Sequence, residues 1–256
     1  MTCWKKERPS HVQRRPVRDF LRKSLALIPV VTLAGTGVGS VVLGGPSTPA
    51  ADPQPAAEPR QGGARAYQPT FFTAQEWAFV QAAVAVLIPT DTLGPGAADA
   101  GVPEFIDRQL NTRYGSGGLW YMQGPFHPDA APELGYQLKL SPQEIYRLGI
   151  QETDAWCKAK WNKPFAELDA AQQQQALEAL DGGKAEFQAV PAATFFAMLW
   201  LNTREGFFSD PLHGGNQGLA GWKLIGFPGA RADFMDWVER DERYPFPPVS
   251  ISGERG

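Results

Sequence analysis

From Gly206 to Ala230 the chain reads Gly-Phe-Phe-Ser-Asp-Pro-Leu-His-Gly-Gly-Asn-Gln-Gly-Leu-Ala-Gly-Trp-Lys-Leu-Ile-Gly-Phe-Pro-Gly-Ala. Seven of these residues are glycines, which disfavour a helix because each allows backbone angles that a helix must exclude. Eight large apolar residues accompany them, which is too many for a flexible linker. Long loops in compact domains are usually functional or packed against another surface. The stretch is therefore predicted to be an ordered, aromatic-rich loop.

Helical signals surround this loop. Capping-box sequences, in which the N-cap side chain and the residue three positions later satisfy each other's backbone N–H groups, begin at Thr73, Ser141 and Asp169. The segment immediately before the loop is apolar on nearly all sides, which predicts a central buried helix. The predicted helices cover about residues 73–88, 103–115, 141–161, 169–182, 192–204 and 231–238. Because no alternating strand pattern occurs, the fold is predicted to be all-α, a single helical domain with long aromatic- and glycine-rich loops.

Two further stretches are predicted to be irregular. Residues 115–137 contain Trp120, Phe126 and His127, and are interpreted either as a partner surface or as a loop folded back onto the core. The tail that begins at Tyr244 continues Pro-Phe-Pro-Pro, which cannot be helical and predicts an extended segment lying over a surface.

Composition divides the chain into three parts. Residues 1–45 hold eight Lys and Arg against two acidic residues, and are predicted to be an export signal. Residues 46–66 are rich in Pro, Ala, Gln and Gly and bury too little apolar surface to fold, which predicts a disordered linker. Residues 67–256 form the predicted helical domain. Beyond the first part the chain carries 16 basic and 25 acidic residues, which disfavours nucleic-acid binding.

The leader resembles a twin-arginine (Tat) export signal. A basic segment precedes residues 24–45, which are uncharged but only mildly apolar because they include Pro29 and five glycines. Val17 stands where the first arginine of the usual pair is found, and another arginine pair lies just upstream. The residues that carry the resemblance are Arg14, Arg15, Arg18, Phe20 and Leu21. The alternative interpretation is a retained membrane anchor, since the apolar run is about long enough to span a bilayer.

Motifs for catalysis and cofactor binding are absent from the sequence. It contains no Gly-x-Gly-x-x-Gly, no phosphate-binding loop, no Gly-x-Ser-x-Gly and no His-Glu-x-x-His. Cleavage of the leader would remove Cys3 and leave Cys157 without a disulfide partner, and one cysteine cannot hold an iron–sulfur cluster. Cys157 is interpreted as a structural helix thiol. We therefore predict no cofactor, metal or catalytic residue in this chain.

The loop sequence resembles one family. Gly-Phe-Phe-Ser-Asp-Pro, His-Gly-Gly-Asn and Gly-Trp-Lys-Leu-Ile-Gly-Phe-Pro-Gly are similar to the gluconate 2-dehydrogenase subunit 3 family. Ile-Pro-Thr-Asp-Thr at residues 88–92 and Gly-Val-Pro-Glu-Phe-Ile-Asp at residues 101–107 match it as well. The resemblance covers most of residues 70–248. Members are the small, or gamma, subunits of membrane-bound dehydrogenases that oxidise sugars or sugar acids.

The resemblance implies a division of labour among three chains. A large flavoprotein subunit holds FAD and oxidises the substrate, and a multihaem cytochrome c subunit passes electrons to quinone. The small subunit carries the export signal and accompanies the large one through the twin-arginine export machinery. It is thus expected to be non-catalytic, periplasmic and attached to the inner membrane through the complex.

Six loop residues are the predicted partner contacts, with packing inside the chain as the alternative for each: Phe207, Phe208, Asp210, His213, Asn216 and Trp222. Two other functions stay open. Ser209, Asp210 and His213 are residue types that recur in hydrolases, which would fit a stand-alone exported helical enzyme. An independent periplasmic binding protein is the third hypothesis.

Overall fold

The computed structural model of the chain describes residues 67–128 and 130–256. The predicted export signal (1–45) and linker (46–66) lie outside the described residues. Six α-helices occur in the described part, and they are α1 (Ala74–Leu87), α2 (Val102–Leu110), α3 (Pro142–Trp161), α4 (Ala170–Asp181), α5 (Ala192–Phe208) and α6 (Ala220–Ile225). Short 3₁₀ helices lie at Pro132–Leu134, Phe165–Glu167, Pro211–His213, Gln217–Leu219 and Ala232–Trp237. Because these residues contain isolated bridges but no strand, the all-α prediction is confirmed.

All three predicted capping boxes are present. In each box, the N-cap side chain accepts a hydrogen bond from the backbone N–H of the residue three positions later, and the side chain of that residue accepts one from the backbone N–H of the N-cap. The N-cap residues are Thr73, Ser141 and Asp169. Such a cap stabilises a helix by about 1 kcal/mol. Since each box needs only four consecutive residues, the sequence was sufficient to place the starts of α1, α3 and α4.

Helix α5 is central, as predicted. It packs against α2, α3 and α4. Its Phe195 ring lies 6.0 Å from the Phe79 ring of α1 and 5.9 Å from the Tyr146 ring of α3. Gly149 of α3 faces the same ring, and any larger residue there would overlap it. The close approach of α3 and α5 therefore depends on this glycine.

Two predicted helix ends were wrong. Helix α2 ends at Leu110 rather than near Gly115, whose missing side chain instead allows close contact with the backbone of Leu110. Helix α5 continues past Arg204 to Phe208, and the predicted last helix is a 3₁₀ segment at Ala232–Trp237.

Asp107 of α2 holds the beginning of the described chain in place. Its carboxylate is fully buried and accepts hydrogen bonds from the backbone N–H groups of Thr70, Phe71 and Phe72 at 2.9–3.0 Å. The hydroxyls of Tyr67 and Thr70 also donate to it. Burial raises the pKa of Asp107, but these hydrogen bonds outweigh burial and leave the pKa below its ordinary value.

The tail after Tyr244 lies over the surface of the chain, as predicted. The N–H of Ala230 donates to the carbonyl of Val249 at 2.7 Å, and the Arg231 guanidinium donates to the carbonyl of Pro247. Across residues 67–128 and 130–256, no helix is long and apolar enough to cross a bilayer.

Candidate functional site

The stretch from Gly206 to Ala230 is ordered but is not the loop that its glycine content predicts. Its first three residues end α5, and its centre contains two 3₁₀ turns and α6. Gly206 faces α2, where an added Cβ would lie 2.8 Å from the Phe105 ring. Gly221 lies in α6 against the backbone of Phe207. These two glycines therefore serve helix packing, which is compatible with helical structure.

Asn216 holds this stretch together. Its side chain is fully buried, and its backbone has the left-handed φ of 49°. The amide Nδ2 donates to the carbonyl of Ser209 at 2.8 Å, and Oδ1 accepts from the N–H of Gly221 at 2.8 Å. One side chain thus connects the end of α5 to α6.

Asp210 and Trp222 make the remaining internal connections. Asp210 is buried, and it accepts from the N–H groups of Leu212 (3.0 Å) and Ile251 (2.8 Å), which ties the C-terminal segment to the stretch. Trp222 is also buried, and its Nε1–H donates to the carbonyl of Phe208 at 2.8 Å. The structure therefore uses both side chains in packing within the chain.

The predicted contact residues divide into two groups. Phe207, Asp210, Asn216 and Trp222 are buried, whereas Phe208 and His213 are exposed. No observation tests partner contact directly, so the role of the two exposed residues stays a prediction. The four buried residues pack or form hydrogen bonds within the chain, and these contacts position the exposed surface.

The Ser209, Asp210 and His213 side chains do not form a catalytic relay. The Ser209 hydroxyl donates to the carbonyl of Gly206 at 3.1 Å, and both oxygens of the Asp210 carboxylate accept hydrogen bonds from backbone N–H groups. The backbone N–H of His213 donates to the Asp210 carbonyl at 3.0 Å, but in the described part of the chain no hydrogen bond joins the imidazole to the side chain of Ser209 or Asp210. A hydrolytic triad needs that sequence of hydrogen bonds.

Phe208 and His213 line a groove of about 560 Å³ beside the C-terminal end of α5, here called the α5 groove. Its wall combines aromatic and aliphatic surface with amide and carboxylate groups. The residues that line it are Phe105, Gln109, Tyr114, Leu119, Asn202, Glu205, Phe208, Ser209 and His213. The groove thus brings together α2, α5 and the segment between α2 and α3.

A buried polar network forms the floor of the α5 groove. The Asn202 Oδ1 accepts from the hydroxyl of Tyr146 at 3.0 Å, and its Nδ2 donates to Glu205 Oε2 at 2.9 Å. The Tyr114 hydroxyl lies 3.2 Å from Asn202 Oδ1. Burial raises the pKa of both tyrosines, and the Glu205 charge adds to the increase. The tyrosines therefore stay neutral and the network stays fixed.

A second exposed feature is apolar. Leu224 and Ile225 are the last two residues of α6, and Phe227 comes two residues later. Their exposed fractions are 48%, 59% and 45%, respectively. Leu93, which is 74% exposed, lines a depression of about 170 Å³ together with Leu224 and Phe207. These four exposed residues, Leu93, Leu224, Ile225 and Phe227, are called the apolar ridge. The sequence prediction missed all four as contact residues, because it took the stretch from Gly206 to Ala230 to be a loop and so could not assign a solvent-facing side to α6.

Residues 115–137 fold back onto the core, as one of the two interpretations predicted, whereas their role as a partner surface stays a prediction. Trp120 packs back onto Tyr136, with ring centroids 4.6 Å apart, and onto Tyr114 at 5.9 Å. Leu119 and Tyr121 are instead exposed. This segment therefore folds onto the core while contributing Leu119 to the α5 groove.

Cys157 and the carboxylates of Asp91 and Glu104 make packing and hydrogen-bond contacts within the chain. Cys157 is fully buried in α3, where burial raises the pKa of its thiol to about 12. A thiol in that state is a poor nucleophile. Asp91 accepts from the N–H of Leu93, and Glu104 pairs with Arg108. No group of three or more His, Cys, Asp or Glu suited to a metal ion occurs among the described residues.

Comparison with known proteins gave one match. Residues 74–229 match the family model described as Gluconate 2-dehydrogenase subunit 3. The matched range covers more than half of the chain, and it includes the α5 groove and the apolar ridge. The comparisons with curated proteins and with solved structures gave no match.

Proposed function

The chain belongs to the gluconate 2-dehydrogenase subunit 3 family, and from this membership we propose that it is the non-catalytic small subunit of a periplasmic, membrane-bound, FAD-dependent dehydrogenase complex. In this proposal, the leader carries the export signal, and the helical body stabilises the large flavoprotein subunit and escorts it through the twin-arginine machinery. FAD belongs to the large subunit and haem c to a cytochrome subunit. The sugar or sugar acid is oxidised outside this chain.

The apolar ridge is the observation that carries the proposal. Soluble monomers rarely expose large contiguous apolar patches, and those that do often use them to bind a partner. Burying the exposed half of a leucine, isoleucine or phenylalanine side chain contributes about 1 kcal/mol. Burial of Leu224, Ile225 and Phe227 would therefore supply about 3 kcal/mol together, which is about a quarter of the binding free energy of a nanomolar complex.

The ridge is also held rigidly from within. Trp222 anchors α6 to the carbonyl of Phe208, and Asn216 anchors its first turn at Gly221. A surface that is ordered before binding loses little conformational entropy when its partner arrives. We therefore assign Asn216 and Trp222 a positioning role in the complex, and the exposed ridge the contact role.

The test is a pull-down of the tagged full-length chain from periplasm and membranes, followed by an absorption spectrum of the eluate. We expect a large subunit to co-purify with flavin absorbance, together with haem bands if the cytochrome is retained. A Leu224→Asp chain should recover at least about tenfold less flavin, because a charge cannot be buried there without a partner. Met235→Asp is the control, since Met235 is 76% exposed in the 3₁₀ segment Ala232–Trp237 and lines neither the ridge nor the α5 groove.

Two outcomes would contradict the proposal. An eluate that contains this chain alone, without flavin, would instead favour an independent binding protein. Equal flavin recovery from the Leu224→Asp and Met235→Asp chains would show that the apolar ridge is not the contact surface.

A further inference from the structure

We propose that the α5 groove receives an arginine side chain of the large subunit, with the Glu205 carboxylate as its acceptor. The identity of the partner rests on the proposed function. The groove itself is defined by the residues that line it, and its chemistry indicates which side chain it accepts.

The Glu205 carboxylate already accepts a hydrogen bond from a buried side chain before any partner binds. Asn202 donates to Glu205 Oε2 at 2.9 Å, and Asn202 is itself almost fully buried. The Tyr146 hydroxyl fixes the other end of the Asn202 amide. An acceptor that is already oriented loses little conformational entropy on binding, which favours a directional hydrogen bond over a loose ionic contact.

No cation of the described chain neutralises this carboxylate. Arg108 pairs with Glu104 and Arg147 with Glu76, and no ion pair to Glu205 occurs in residues 67–128 and 130–256. The nearest cation in sequence, Arg204, lies over the Trp200 ring with its guanidinium carbon 5.2 Å from the ring centroid. Glu205 therefore brings an uncompensated negative charge to a groove that is otherwise largely apolar.

The walls fit arginine better than lysine. Phe208, Leu119 and Tyr114 supply apolar and aromatic surface for an aliphatic stem and a planar head group. Guanidinium groups stack on aromatic rings and present several N–H donors in one plane, whereas an ammonium is a more strongly hydrated point charge. The carboxylate of Glu205 and the amide oxygen of Gln109 are both available as acceptors in the groove.

The α5 groove and the apolar ridge both adjoin the C-terminal end of α5. Phe207 lines the depression of the ridge, and the next residue, Phe208, lines the groove. One macromolecular partner that covers this end of α5 can reach both features, with the ridge supplying apolar area and Glu205 a directional polar contact. This proximity favours a side chain of the large subunit over a free small cation.

The test compares the affinity of Glu205→Gln and wild-type chains for the purified large subunit at low and high salt. Glutamine keeps the oxygen that Asn202 contacts, so the fold should be retained, and this is checked by the thermal midpoint. We expect the dissociation constant to rise about tenfold at low salt and its salt dependence to weaken, because the lost pair is partly screened by ions. Glu178→Gln is the control, since Glu178 on α4 also accepts from an amide of its own helix, that of Gln174.

The outcomes separate this inference from the proposed function. Equal affinity and equal salt dependence for the Glu205→Gln and wild-type chains would overturn the arginine site while leaving the subunit role intact. Failure of the wild-type chain to bind the large subunit would overturn both. If the Glu205→Gln substitution weakens only self-association, the occupant is a second copy of the chain and the inference is wrong.

Discussion

Replacing Asp107 with asparagine should destabilise the body far more than one surface charge does. The carboxylate receives three backbone N–H groups and two hydroxyls from residues 67–72. Asparagine keeps one oxygen, which can still accept from Phe71 and Phe72. Its amide nitrogen then faces the N–H of Thr70, so that this part-buried donor is left without its acceptor.

The magnitude follows from these contacts. Leaving a buried donor unsatisfied costs about 1–3 kcal/mol, and hydrogen bonds to a charged acceptor lose about half of their strength when the acceptor becomes neutral. We expect a loss of about 3 kcal/mol in the free energy of unfolding of the Asp107→Asn chain. For a body of this size, such a loss lowers the thermal midpoint by roughly 6–12 °C.

The assay is urea unfolding of the full chain together with amide hydrogen exchange of Thr70, Phe71 and Phe72. Glu104→Gln, on the same helix, is the control, because its pair with the half-exposed Arg108 is worth less than about 1 kcal/mol. The amides should lose protection in the Asp107 variant alone. Equal unfolding free energies for the two variants would refute the role assigned to Asp107.

The contribution of Asp107 to the free energy of unfolding should fall as the solution becomes acidic. The pKa of Asp107 is lower in the folded chain than its ordinary value, so its contribution is complete above the unfolded pKa of about 4. That contribution disappears as the pH falls through the folded pKa, where the carboxylate becomes protonated. The difference between wild-type and Asp107→Asn chains should therefore be constant at neutral pH and shrink in acid.

Two further predictions concern buried side chains. In a Cys3→Ser chain, labelling of Cys157 at pH 8 should be at least about a hundredfold slower in the native state than in denaturant, because burial raises the thiol pKa to about 12; equal labelling rates would contradict this. Asn216→Ala should lower the free energy of unfolding by about 3 kcal/mol, measured in urea, because the Gly221 N–H and the Ser209 carbonyl lose their partner. A loss below about 0.5 kcal/mol would show that other groups replace these contacts.

Local signals were predictable from the sequence, and long-range ones were not. The caps at Thr73, Ser141 and Asp169 are confirmed because donor and acceptor lie three residues apart. The role of Asp107 was not predicted. Its donors lie 35–40 residues earlier, and no local pattern marks them.

Glycine was interpreted through its backbone freedom, although its small size also matters. The prediction ended α5 near Arg204 because glycines follow, but Gly206 is a helical residue that lets Phe105 approach. Gly149 lies inside the predicted helix at residues 141–161, and its contact with Phe195 depends on the position of α5. Both roles require the partner helix to be known.

The division between buried and exposed residues in the stretch from Gly206 to Ala230 affects how mutations there are interpreted. Trp222 and Leu224 are two residues apart in α6, yet one anchors the helix internally and the other faces solvent. Substituting Trp222 would disorder the apolar ridge and weaken assembly without removing any contact with the partner. Loss of assembly at Trp222 therefore does not identify an interface. Only substitutions at exposed positions such as Leu224 and Glu205, which leave the thermal midpoint unchanged, can separate recognition from folding.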